Sequence, residues 1–93
     1  LEKRVREVIQ TNQFKKDLKK VASSGRHKLE DFLAIVEKLS SDVPLPPKNR
    51  DHELSNNWKD YRECHIKPDW LLIYKKYEDI LLLARTGSHS ELF

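Results

Sequence analysis

The chain has 93 residues, a length that predicts a single domain spanning residues 1–93. Its hydrophobic residues (38%) are clustered among the charged ones (35%) rather than diluted, which excludes wholesale disorder and collagen-like or coiled-coil architectures, and the longest apolar run, Ile80 to Ala84, is too short to span a membrane. Eighteen Lys and Arg against fifteen Asp and Glu leave a net charge of +3, and a lone cysteine, Cys64, excludes an internal disulfide framework and a Cys-based zinc site.

In chain order, Val5 to Gln10 predicts a short opening strand. Thr11 or Asn12 then offers a helix N-cap, and Phe14, Leu18, Val21 and Ala22 recur at helical spacing. Ser23-Ser24-Gly25 ends this helix, because glycine readily takes the left-handed conformation of a C-terminal cap. A second helix is predicted from Lys28 to Leu39, with Leu29, Phe32, Leu33, Val36 and Leu39 as its core stripe. The Pro-rich stretch from Asp42 to Pro47 cannot continue a helix and reads as an extended connector. Three strands follow: Tyr61–Ile66, Trp70–Tyr74 and Ile80–Arg85. The last two are almost continuously apolar, as central strands are. The expected fold is α+β, ordered β-α-α-β-β-β, with a mainly antiparallel sheet and a helical hairpin on one face.

Charge is uneven along this order. Residues 1–50 hold twelve basic residues against seven acidic, whereas residues 51–93 hold six against eight. Lys3, Arg4, Arg6, Lys15, Lys16, Lys19, Lys20, Arg26 and Lys28 form a cluster of the kind that binds a polyanion, although a solvated helix face would look the same. No apolar signal segment stands at the start, which with the single thiol predicts a cytoplasmic protein.

Chemistry-bearing side chains concentrate in the second half. His52, His65, Asp69, Arg85 and His89 all stand beside predicted strand ends, where a meander can gather them at one groove. Two imidazoles can act as base and acid in one reaction, and a guanidinium suits a phosphate. Trp70 and Phe93 can stack on bases. Together these groups suit metal-independent RNA cleavage through the 2′-hydroxyl. Each also has a structural alternative: Arg85 can pair with an acid, Asp69 can be a turn residue, and Trp70 and Phe93 can pack in the core. His27 reads as a surface or satisfied histidine, and Cys64 as a small buried hydrophobe. The histidine spacings match no tight metal motif, so neither a metal nor another cofactor is expected.

The segment from Asp51-His52-Glu53-Leu54 through Trp58, Tyr61-Arg62, Cys64-His65-Ile66 and Pro68-Asp69-Trp70-Leu71-Leu72-Ile73-Tyr74, closing on Arg85, Gly87 and His89-Ser90-Glu91-Leu92-Phe93, resembles the YafQ branch of the RelE/ParE superfamily of bacterial toxins. The resemblance spans residues 51–93 and implies a RelE-like fold and ribosome-dependent cleavage of mRNA in the A site. It implies that His89 is the general acid, that His52, His65 and Asp69 supply base and orientation, and that Arg85 binds the scissile phosphate. Trp70 and Phe93 would shape the substrate pocket, and Lys15, Lys16, Lys19 and Lys20 would dock on ribosomal RNA or an acidic partner. It further implies a cognate antitoxin, with operator DNA bound only through that antitoxin. The competing readings are a non-catalytic relative like the gyrase-binding ParE branch, which lacks the full histidine set, and a plain nucleic-acid-binding module using the N-terminal basic patch.

Overall fold

A computed structural model describes residues 5–93. Lys3 and Arg4 of the basic cluster, and the first residues of the chain generally, lie outside the described part. The elements are β1 (Glu7–Gln10), α1 (Asn12–Ser23), α2 (Leu29–Ser40), β2 (His52–Glu53), β3 (Arg62–Lys67), β4 (Trp70–Lys76), β5 (Ile80–Gly87) and α3 (His89–Leu92). They form a five-stranded sheet in the order β1-β5-β4-β3-β2. β1 pairs parallel with β5, and the remaining pairs are antiparallel. The expected α+β order therefore holds, with two additions: the two-residue β2 and the four-residue α3, both too short for a periodicity to reveal.

Local chemistry explains the boundaries. Thr11 caps α1 by accepting from the Phe14 amide (2.9 Å), and the same hydroxyl donates to the Ala84 carbonyl of β5 (2.9 Å). One side chain thus starts the helix and pins it to the sheet. α2 has no side-chain cap; Glu30 and Asp31 in its first turn complement the helix dipole instead.

The main core lies between the helices and one sheet face. Phe14, Phe32, Ile35, Val36 and Leu39 meet Cys64, Ile66, Trp70, Leu72, Tyr74, Leu81 and Leu83 there. A smaller cluster covers the other face: Leu71, Ile73, Ala84 and Leu92, flanked by Leu54, Trp58 and Tyr61. Coverage on both faces is why β4 and β5 read as continuous apolar runs.

Two expectations about burial are corrected. Leu29 and Leu33 are exposed (Leu33 to 60%), and Ile35 takes their place in the core, because α2 is rotated toward its Phe32–Val36 edge. On α1, Ala22 is exposed while Asp17 is buried, the latter to meet Arg85. Trp70 is 1% exposed, a core residue. Cys64 is fully buried, as expected, and burial pushes its thiol pKa upward. Among the described residues, no helix is long and apolar enough to cross a membrane.

Candidate active site

Strand register sets polar side chains of β2 and β3 on the face away from the α1–α2 hairpin, while Arg85, opposite Ile73 on β5, turns its guanidinium to α1. His52 lies opposite Glu63, and Glu63 opposite Ile73. The next row runs His65, Leu71, Gly87. Cross-strand partners share a face, so β2 and β3 bring His52, Glu63 and His65 to one place.

Glu63 joins the two histidines. Its Oε1 lies 3.6 Å from His52 Nε2 and 3.7 Å from His65 Nε2, while the residue is only 5% exposed. His52 Nδ1 lies 2.6 Å from the Arg50 carbonyl. A carbonyl can only accept, so Nδ1 carries the proton and Nε2 is the nitrogen left for exchange. Asp51, just before, accepts from the Tyr74 hydroxyl and from Arg62 Nε (3.2 Å), tying the segment that carries His52 to β3 and β4. Burial, with Asp51 as hydrogen-bond acceptor, pushes the Tyr74 phenol upward, so it stays a donor. Asn49 donates to the His65 carbonyl (2.6 Å), and Lys48 and Arg50 line a small cavity of about 200 Å³ beside His65. Glu63 was absent from the sequence-based set; the alternation Glu63, Cys64, His65, Ile66, with the apolar members in the core, was the available signal.

The other expected site residues take separate partners. Asp69, in the β3–β4 turn, lies 3.6 Å from His27 Nε2. Arg85 donates from Nε and one terminal nitrogen to Asp17 (2.7 and 3.2 Å). Burial alone would raise the Asp17 carboxyl, but hydrogen bonds from Arg85, Gln13 and the Thr86 amide outweigh it and hold the group below its usual range. Arg85 is therefore first an ion-pair partner of α1; its remaining terminal nitrogen is the part left for a phosphate.

His89 opens α3, whose Ser88 N-cap forms a reciprocal capping box with Glu91. The His89 ring sits 5.1 Å from that of Phe93, which is 53% exposed and so is no core plug. Gly87 just before has φ 152°, and a Cβ there would lie 3.2 Å from Glu91 Oε1. Glycine permits the close turn that sets α3 on the sheet. Trp70 is buried, and its Nε1 donates to Thr86 Oγ1 (2.8 Å); it borders the cavity lined by His27 and Asp69 from the core side rather than presenting a free ring face. Its outer ring face is covered by His27 (centroids 4.7 Å apart). Lys15, Lys16 and Lys19 are exposed along α1, whereas Lys20 pairs with Glu91 at 2.9 Å. Among the described residues, no three His, Cys, Asp or Glu side chains are grouped to hold a metal ion.

Comparison with known proteins covers this whole arrangement. The family model described as bacterial toxin of type II toxin–antitoxin system, YafQ, matches residues 6–93. The mRNA interferase toxin YafQ of Escherichia coli (strain B / BL21-DE3) is 40% identical over 90 residues, covering 95% of this chain and 96% of that protein. A putative toxin YafQ from Haemophilus influenzae is 33% identical, covering 90% and 88%. Among solved structures, a copper-bound mutant toxin from Helicobacter pylori superposes with a TM-score of 0.89 at 39% identity, covering 96% of this chain and 99% of that one. YafQ in the E. coli DinJ–YafQ complex does so with a TM-score of 0.82 at 37% identity, covering 95% and 98%. With the family model matching from β1 through the final Phe93 and the fold shared with these structures, the chain belongs to the YafQ family of bacterial type II toxins.

Proposed function

We propose that this chain is an endoribonuclease toxin that cleaves mRNA in the ribosomal A site and is neutralised by a cognate antitoxin. The observation that carries the reading is the pair His52 and His65 on one buried carboxylate, Glu63, on the sheet face whose far side leads through Gly87 to His89. Relatives named mRNA interferase toxins support the activity, and the DinJ–YafQ complex supports an antitoxin partner. Operator DNA would be reached only through that antitoxin.

In the proposed reaction, an imidazole of the His52–His65 pair takes the 2′-hydroxyl proton. The 2′-oxygen attacks the adjacent phosphorus, the bond to the 5′-oxygen breaks, and His89 donates the proton that the leaving oxygen needs. The products are a 2′,3′-cyclic phosphate and a 5′-hydroxyl, and the proton taken from the 2′-oxygen balances the one given to the 5′-oxygen. His65 and Gly87 are two strand spacings apart, about 10 Å, so the segments that carry the proposed base and acid flank β4. Glu63 orients the two imidazoles, and the terminal nitrogen of Arg85 that Asp17 does not hold would balance charge growing on the phosphorane. Asp69 lies with His27 rather than with the other two histidines, which favours His52 or His65 over Asp69 as base.

The test is translation of a model message on purified ribosomes with wild type beside His89→Ala. Wild type should cut at codon-linked positions, a chelator that spares the ribosome should leave cutting intact, and 2′-deoxy substitution at the cut should abolish it. His89→Ala should lose about 10²- to 10⁴-fold in rate. Equal cutting by the variant would remove His89 as the acid; no cutting at all, with stalled gyrase, would move the chain to the ParE-like reading.

A further inference from the structure

Outside the histidine pair, the structure holds an aromatic column that ends at a cavity. Phe32, Trp70 and His27 are stacked in series, with centroids 6.5 and 4.7 Å apart and planes tilted by 29° and 25°. The middle ring is locked in the core by the Trp70–Thr86 hydrogen bond. The outer end, His27, has a side chain 13% exposed and, with Trp70 behind it, lines a cavity of about 240 Å³ together with Lys20, Arg26, Asp69, Ser88 and Glu91. The next residue after Ser88 is His89, so the cavity adjoins the proposed acid.

This lining combines what a nucleotide needs. A rigid aromatic face at the end of a packed stack receives a base without ordering cost. Lys20 and Arg26 supply positive charge for a phosphate, Lys20 by exchanging its exposed Glu91 partner for it. The Asp69 carboxylate, mostly exposed and touching His27 with one oxygen only, can accept from a base amino group. A nonspecific anion site would need the cations but not the aromatic floor or the carboxylate.

We infer that this cavity is a nucleotide subsite, in which a base bearing an exocyclic amino group stacks on His27 and donates to Asp69 while Lys20 and Arg26 hold its phosphate. The inference rests on the RNA-cleaving reading for its biological substrate, but it is tested without ribosomes or cleavage. His27 is then a residue that reads a neighbour of the cleaved nucleotide, and the α1–α2 connection is part of the substrate groove.

The experiment titrates the full chain with the four nucleoside 5′-monophosphates and with ribose 5-phosphate, following the His27 ring and Trp70 indole signals by NMR. Adenosine, guanosine and cytidine monophosphates should shift both signals and bind more tightly than uridine monophosphate, and ribose 5-phosphate should bind at least ten-fold more weakly. His27→Ala should weaken nucleotide binding by about five- to hundred-fold, whereas His27→Phe, which keeps an aromatic face, should stay within about three-fold of wild type. Asp69→Asn should erase the discrimination against uridine monophosphate. Equal binding of ribose 5-phosphate and nucleotides, unmoved His27 signals, or unchanged affinity in a folded His27→Ala would overturn the subsite. Equal affinity for uridine monophosphate would overturn the assignment of Asp69. Should His27→Ala fail to fold, the wild-type comparison of nucleotide with ribose phosphate decides. Nucleotide binding without mRNA cleavage would keep the subsite and sink the cleavage reading; cleavage without nucleotide binding would do the reverse.

Discussion

Glu63 is a carboxylate that the sheet buries beside hydrophobic β4, and burial of a charge is unfavourable unless it is partnered. Its contacts to His52 and His65, at 3.6 and 3.7 Å, are ion-pair distances rather than short hydrogen bonds. The carboxylate is thus placed to orient either imidazole and to balance the charge of one that has accepted a proton. Glu63→Gln keeps the shape and removes the charge. It should lower the cleavage rate by on the order of ten-fold or more, with little change in folding; a folded variant that cuts at the wild-type rate would limit Glu63 to packing. Trp70 belongs to the opposite kind. Because its ring is in the core, Trp70→Ala should cost about 3–5 kcal/mol of stability in denaturant unfolding, and any loss of toxicity should follow from that. Wild-type stability in this variant would contradict the core assignment.

At the scale of elements, α3 is four residues long and cannot be stable by itself. It is held by the Ser88–Glu91 box, by Lys20 reaching across from α1, and by Leu92 against Leu71, Ile73 and Ala84. Hydrogen bonds from the Ser88 amide, Lys20 and the Ser88 hydroxyl lower the Glu91 pKa from 4.5 to about 2. The folded value lies below the ordinary one, so this stabilisation is complete above about pH 4.5 and is lost as pH falls toward 2. A carboxyl titration followed by NMR should find the Glu91 midpoint near 2, and Glu91→Gln should abolish the acid-dependent loosening of α3 seen in the His89 and Phe93 signals. Normal carboxylate titration in the folded protein would show that the box is not formed. Thr11 plays a similar part for α1, and Thr11→Ala should cost about 1 kcal/mol or more, since it removes both the cap and the link to Ala84.

The whole molecule separates charge from chemistry. Lys15, Lys16 and Lys19 stand exposed on α1, away from the paired histidines on the other sheet face. Changing these three to Gln should weaken ribosome binding and reduce the slope of log affinity against log salt concentration by about one per lysine in contact with phosphate. Lys20→Gln should act differently, loosening α3 through Glu91. An unchanged salt slope in the triple variant would leave the basic face as solvation.

Much of this organisation could be read from the residues in order. Helical spacing in 14–22 and 28–39, prolines 44–47, and apolar runs at 70–74 and 80–84 are local properties, and local periodicity is enough to place α1, α2, β4 and β5 and to name the α+β class. The histidine inventory and the basic N-terminal half were equally legible, because composition does not depend on folding. Only the tertiary structure decided which side chains meet. Asp17 and Arg85 are 68 residues apart in sequence, so nothing local distinguishes their ion pair from two solvated charges. The same holds for Glu63 between His52 and His65, which depends on the register of β2 on β3, where a slip of one residue would turn each side chain to the other face. His27 meets Trp70 because the chain reversal after α1 lays it there, and packing across the core converts an isolated imidazole into the end of an aromatic stack.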